Sequence, residues 1–194
     1  MDEDATVTLL ILGESGCGKT TFLSRLKNPN LRFGNGDSAG NGLLRDGDQP
    51  FLYDIRFARK SFKLEVYDTA SPNQHWSSLN PGVVILAYDI SDRRSLDALK
   101  GWRNDITRYF QRGTGERIPV MMLGLKRDLR EENDQIIYPQ EAYRIAQELH
   151  CDRYAECSAV TGELIKEAFE DIAKVAAMTT TEKGAQGAGG CTVL

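Results

Sequence analysis

The apolar run "VTLLIL" leads directly into "GESGCGKT" at residues 13–20, and no other stretch restricts the fold as strongly. Gly13, Gly18, Lys19 and Thr20 satisfy G-x-x-x-x-G-K-[ST], with a strand-like run before and a helical pattern, "TTFLSRLK", after. Glycines let backbone N–H groups converge on phosphate oxygens, and the following helix N-terminus adds its positive end. In this pattern Lys19 reaches the β- and γ-phosphates and the Thr20 hydroxyl ligates Mg²⁺. The residues placed around the phosphates are therefore Gly13, Glu14, Ser15, Gly16, Cys17, Gly18, Lys19, Thr20 and Thr21.

The rest of the chain repeats the alternation. "GVVILAYD", "IPVMMLGL" and "RYAECSA" are strand-like, and each is followed by a helical pattern: "RRSLDALKGWRNDITRYFQR", "PQEAYRIAQELH" and "LIKEAFEDIAKVAA". Repeated β-α order predicts an α/β fold, a mostly parallel six-stranded sheet with helices on both faces. "QPFLYDIRFARKSFKLEVYD" reads as a hairpin around the polar "ARK", so one edge strand is antiparallel. Leu96, Leu99, Trp102, Ile106 and Phe110 recur at helical spacing, as do Ile165, Ala168, Phe169, Ile172 and Val175; both stripes read as core. Residues 28–50 are rich in Gly, Asn and Asp and read as a long loop. Domain limits follow at 1–178, with 179–194 a flexible Gly-rich tail.

Composition narrows the functional classes. A chain of 194 residues with 41% hydrophobic content can bury a core without disulfides or metals. The four cysteines show no metal-ligand spacing, so reduced thiols and a cytoplasmic setting are expected. A net charge of −4 offers no basic face for nucleic acid, and "MDEDATV" lacks the order of a signal peptide.

A phosphate cradle does not choose a base. "LGLKRDLR" supplies a candidate reader: Lys126 could lay its alkyl stem along a purine while the Asp128 carboxylate accepts from N1–H and N2–H₂ of guanine, which adenine lacks. "ECSAV" at 156–160 could present the Ala159 N–H to guanine O6, with Ser158 and Val160 on either side. The order "GESGCGKT", "YDTA", "LKRDLR", "ECSA" and a terminal "CTVL" resembles the Ras superfamily of small GTPases across essentially the whole chain, most closely the Rho family. The resemblance implies a P-loop small G domain that binds GTP or GDP with Mg²⁺, works as a monomer, and meets exchange-factor, carrier and effector proteins. One Rho hallmark is missing, since only "EENDQIIYP" separates "DLR" from the next helix, too little for that family's inserted helix.

The resemblance also shows where the pattern breaks. No threonine occurs between Thr21 and Thr69, so the hydroxyl that the family's first switch offers to Mg²⁺ is absent; Ser38 is the only nearby substitute in that loop. Asp68 fits the carboxylate that holds a Mg²⁺-bound water. Where the family reads D-T-A-G-Q this chain reads "DTASP": Ser71 stands for the γ-phosphate glycine and Pro72 for the water-orienting glutamine. Gln74 is near but displaced by two positions, a weak stand-in for that glutamine. Ser15 replaces a glycine that leaves room for an arginine finger, and Leu125 replaces a hydrogen-bonding Asn or Thr. Membership of the GTP hydrolase class is thus open, and slow or absent hydrolysis is expected. "CTVL" matches C-a-a-X with Leu last, which implies geranylgeranylation of Cys191. One prenyl chain without a polybasic patch predicts reversible association with the cytoplasmic face of membranes. Two other classes remain: a pseudo-GTPase interaction module whose switches ignore the γ-phosphate, and an adenine-specific P-loop kinase, for which no lid is legible.

Overall fold

The computed structural model describes residues 5–33, 42–57, 60–68, 78–111 and 117–184. Ser38, Ser71, Pro72, Gln74 and Cys191 lie outside the described residues. Six strands, β1 (Ala5–Leu12), β2 (Phe51–Phe57), β3 (Lys60–Asp68), β4 (Val83–Asp89), β5 (Val120–Leu125) and β6 (Arg153–Glu156), form one sheet in the order β2-β3-β1-β4-β5-β6. β1 pairs in parallel with β3 and β4, and the β4–β5 and β5–β6 ladders are parallel too. Only β2 runs antiparallel, at the edge, as the hairpin reading requires.

Side-chain alternation along the central strands explains the layering. Val7, Leu9 and Ile11 of β1, Val83 and Ile85 of β4, and Met121 and Leu123 of β5 face one core with Phe22, Leu23, Ile172 and Val175. Their neighbours Leu10, Leu12, Val84, Leu86 and Met122 face a second core with Leu96, Leu99, Trp102, Ile106 and Ala142. Strands apolar on both faces cannot meet water on either, so helices must cover both. Each fully buried aliphatic side chain adds about 1.5–3 kcal/mol of transfer free energy.

The helices are α1 (Lys19–Lys27), α2 (Arg93–Asp97), α3 (Leu99–Ile106), α4 (Pro139–Glu148) and α5 (Ile165–Gly184). Asp92 caps α2 by accepting from the Arg94 N–H at 3.1 Å, and Pro139 opens α4 with its φ already helical. Two elements differ from the sequence reading. The helix expected over "RRSLDALKGWRNDITRYFQR" is interrupted at Ala98 and widens into a π-type turn at Thr107–Gln111. There the Thr107 hydroxyl donates to the Arg103 carbonyl at 3.3 Å, which competes with the helical ladder, yet Phe110 still reaches the core. α5 continues past residue 178, where the tail boundary was drawn, to Gly184. The Thr179 and Thr180 hydroxyls donate to the carbonyls of Ala176 and Ala177, so the residues that read as tail turn back onto their own helix. Residues 131–138 run as bends and turns, without an inserted helix.

Candidate functional site

The loops that leave the C-terminal ends of β1, β3, β5 and β6 lie along one margin of the sheet, and they carry the phosphate loop, Asp68, Lys126 with Asp128, and Ser158–Val160. Gly13 explains how the phosphate loop sits so low. A Cβ placed on it would lie 2.1 Å from the Ala87 carbonyl oxygen of β4, a contact no side chain survives. Gly18 ends the loop at φ 105°, a conformation that favours glycine, and serves as the N-cap of α1.

Lys19 is buried at 4% exposure and arches back over the loop, its Nζ donating to the carbonyls of Gly13 (2.8 Å) and Glu14 (3.0 Å). Ser15 and Gly16 are exposed, and Cys17 is buried with its thiol pushed up by burial. Thr20 and Thr21 start α1, and the Thr20 hydroxyl donates to Asp68 Oδ2. The other Asp68 oxygen, Oδ1, is buried with no hydrogen-bond partner among the described residues. Burial pushes the Asp68 carboxyl up, while the Thr20 hydroxyl and the Lys19 ammonium pull it down; Asp46 adds a smaller upward push.

This orphaned oxygen is the test of whether the residues fit a cation. A buried carboxylate oxygen with no donor costs about 1–3 kcal/mol, and beside a threonine hydroxyl it offers a hard oxygen ligand or an acceptor for a cation-bound water. Among the described residues no group of three or more His, Cys, Asp or Glu could hold a metal alone. A cation here would depend on phosphate oxygens for its remaining ligands, as Mg²⁺ at nucleotides does. The residues fit.

Lys126 sits at φ 59°, and its Nζ pairs with Asp89 Oδ2 at 2.7 Å and donates to the Gly16 carbonyl at 2.8 Å. Its stem runs beside Gly18, with Cε 3.5 Å from where a Cβ there would stand. The lysine therefore ties the loop after β5 to the loop after β1. Asp128 lies in a 3₁₀ turn at Arg127–Leu129 and accepts from the Ser158 hydroxyl, which aims its carboxylate from the second loop. Ser158 and Ala159 are buried and Val160 is 49% exposed. Leu125, whose aliphatic side chain has no hydrogen bond to offer, packs into the first core at 1% exposure.

Several supporting residues escape a reading of the sequence. Asp89 closes β4 and holds Lys126. Trp102 belongs to an apolar stripe, but its indole N–H donates to the Glu14 carboxylate at 3.2 Å. Arg130 grips both oxygens of Glu156 at 2.7 and 2.5 Å, which joins the segment after Asp128 to the end of β6. "DLR" and "ECSA" were visible as motifs, but nothing in either marks the other as its partner.

Comparison with known proteins decides the family, because residues 8–178 match the Ras family. The chain belongs to the Ras family. It is a small GTPase of the Ras superfamily by sequence and fold, and it is similar to both Rab and Rho members. It is 28% identical over 182 residues to Ras-related protein RABG3f of Arabidopsis thaliana, covering 90% of this chain and 84% of that protein. GTP-binding protein RHO2 of Saccharomyces cerevisiae is 24% identical over 190 residues, with 91% and 92% covered. Rho-related GTP-binding protein RhoF of Homo sapiens is 27% identical over 184 residues, with 87% and 81% covered. Identity alone does not separate the two subgroups.

Proposed function

We propose that this Ras-family protein is a Rho-like, guanine-nucleotide-dependent signalling switch that hydrolyses GTP slowly or not at all. The observation that carries nucleotide binding is the Asp68–Thr20 pair, whose second carboxylate oxygen is buried and unpartnered among the described residues, with the buried Lys19 ammonium pulling the carboxyl pKa down. The phosphate-loop N–H groups and Lys19 hold the phosphates, Asp68 and Thr20 hold Mg²⁺, and Asp128, aimed by Ser158, accepts from guanine. When bound, the cation neutralises charge on the phosphate oxygens. The weak point is the water. Pro72 has no side-chain amide with which to hold one in line, and the exposed Ser15 side chain occupies room an arginine finger would need. An arginine finger contributes about 10³–10⁵ in rate, so a partner that supplies one should fail to accelerate turnover. Cys191 carries a geranylgeranyl group in this reading, and membrane attachment is reversible.

The test is single-turnover hydrolysis of Mg²⁺·GTP by the wild type, with Gln74→Ala beside it and ATP as competitor. Tight GTP binding, no competition by ATP and very slow turnover are expected. Turnover at the pace of ordinary small GTPases that Gln74→Ala abolishes would show that Gln74 has taken the water-orienting role and would end the hydrolysis-deficient reading. A second reading, a prenylated interaction module indifferent to the γ-phosphate, is favoured by the lack of any threonine between Thr21 and Thr69. Amide exchange compared between GDP and a GTP analogue separates the two, since only a switch requires a difference.

A further inference from the structure

Gln49 precedes β2 in a segment that reads as loop, and its side chain does what a strand backbone does. Its Nε2 donates to the Asp68 carbonyl at 2.9 Å, and its Oε1 accepts from the Asp68 N–H at 3.0 Å. The β2–β3 register explains the pairing: Phe51 stands opposite Val66, and two further residues bring Gln49 opposite Asp68. Pro50 interrupts the ladder because it has no N–H to give. The Gln49 backbone N–H is turned the other way, toward the Asp46 carbonyl at 3.4 Å in the 3₁₀ turn Asp46–Asp48. A primary amide presents a donor and an acceptor side by side, as a peptide unit does, so it closes the last rung of the sheet.

That rung lies at a consequential place. Asp68 is the final residue of β3, 7% exposed, and its carboxylate is the one whose Oδ2 receives the Thr20 hydroxyl while Oδ1 has no partner. On the β1 side Asp68 stands in register with Ile11, so Gln49 supplies the β2-side pair; without it that side of the Asp68 backbone is held less tightly, and Oδ1 with it. We infer that Gln49 is a positioning residue: by its two bonds to the Asp68 backbone it holds the cation-facing carboxylate in place and ties the segment after the phosphate helix to the end of β3. This rests on the reading of the site as a Mg²⁺–nucleotide site. Because both bonds run to backbone atoms of the protein, the tie needs no γ-phosphate and persists in either nucleotide state.

The variants are Gln49→Glu, which keeps the shape but sets a carboxylate oxygen against the Asp68 carbonyl, and Gln49→Ala, with Lys27→Ala as control. Lys27 Nζ donates to the Leu52 carbonyl and so touches β2 without touching Asp68. Two readouts apply to the purified full chain: exchange of the Asp68 backbone amide, and release of a fluorescent GDP as Mg²⁺ is titrated with chelator. Both Gln49 variants should speed Asp68 amide exchange at least about tenfold and raise the Mg²⁺ concentration that halves release about three- to tenfold. Lys27→Ala should change neither. Unaltered Asp68 exchange in Gln49→Ala overturns the tie, and faster exchange with an unchanged Mg²⁺ dependence overturns the positioning role. A wild type that binds no guanine nucleotide overturns the functional reading instead, and the amide exchange still decides the tie.

Discussion

Arg130 and Glu156 form the most buried ion pair among the described residues, and breaking it should cost more than any exposed pair could. The Glu156 side chain is 7% exposed and that of Arg130 16%. Arg130 meets both carboxylate oxygens, donates its Nε to the Ile137 carbonyl at 3.1 Å, and holds the usual charge more firmly because of Glu156. Arg130→Met would leave a buried carboxylate with the Tyr154 hydroxyl and with Arg127, whose Nε is 3.6 Å away. Removing one partner of such a pair costs about 3–5 kcal/mol, and the two residual partners put the expected loss near the lower limit, about 3 kcal/mol. For a domain of this size that is a fall in Tm of about 6–12 °C. Glu156→Gln should lose less, because a neutral amide still accepts from the arginine. Denaturant unfolding at saturating GDP, run as a double-mutant cycle, should return a coupling of at least about 2 kcal/mol, with the double variant milder than the two losses summed. Single losses under about 1 kcal/mol that simply add would show the pair to be solvated in effect and would refute the argument from burial.

Asp128→Asn should weaken GTP and GDP binding by more than about tenfold, equivalent to about 1.4 kcal/mol, because the amide cannot accept from both guanine donors; unchanged GDP affinity in a competition assay would remove Asp128 from the base site. Arg93 donates to both oxygens of Glu141 and holds its carboxyl below the usual carboxylate range. A lowered carboxyl pKa contributes stability that is present above the unfolded value and lost as pH falls through the folded one. The stability gap between wild type and Glu141→Gln should therefore be present at about pH 6 and shrink toward about pH 3; a gap constant with pH would exclude the pair as its source. Cys191→Ser should move the protein from membrane to soluble fractions, since a prenyl chain buries many CH₂ groups at about 0.8 kcal/mol each, and equal fractions for the two proteins would sink the lipid anchor.

The strands were legible because each central one is apolar on both faces, and such a run in a β-α alternation has one place to go, between two helical layers. The hairpin was legible because β2 alternates, with Phe51, Tyr53 and Ile55 inward and Leu52 and Asp54 outward. The helix after β4 was misjudged in its continuity because periodicity reports which residues face inward, not whether the backbone ladder is unbroken. Phe110 keeps its place in the stripe although the turn beneath it has widened. The end of α5 was misplaced for a related reason: consecutive threonines lower helix propensity, but hydroxyls that bond within the helix offset that. The candidate site residues were proposed from motifs, whereas the residues that bond to them were not visible there. Gln49 looks like loop polarity, Trp102 like core, and Glu156 like the flank of a motif, since each partner lies far away in sequence.

The two sides of the site differ in what their residues are made to do, and this separates binding from response. On the base side, Lys126 and Ser158 are each partly or wholly buried and bonded across loops, and the Arg130–Glu156 pair beneath them belongs equally to the fold. A substitution there changes recognition and stability together. On the γ-phosphate side, the departures at Ser71 and Pro72 come after β3 ends at Asp68 and lie outside the described residues. Asp128, 3₁₀-turned and exposed, is the informative intermediate, because the base reading proposed for it comes from a position outside both cores. Asp128→Asn should accordingly lower guanine affinity while leaving the unfolding midpoint of nucleotide-free protein within about 1 kcal/mol of wild type, whereas Arg130→Met should lower both. If the two variants instead shift affinity and stability in the same ratio, base recognition and folding are one cooperative unit, and the separation of binding from response fails.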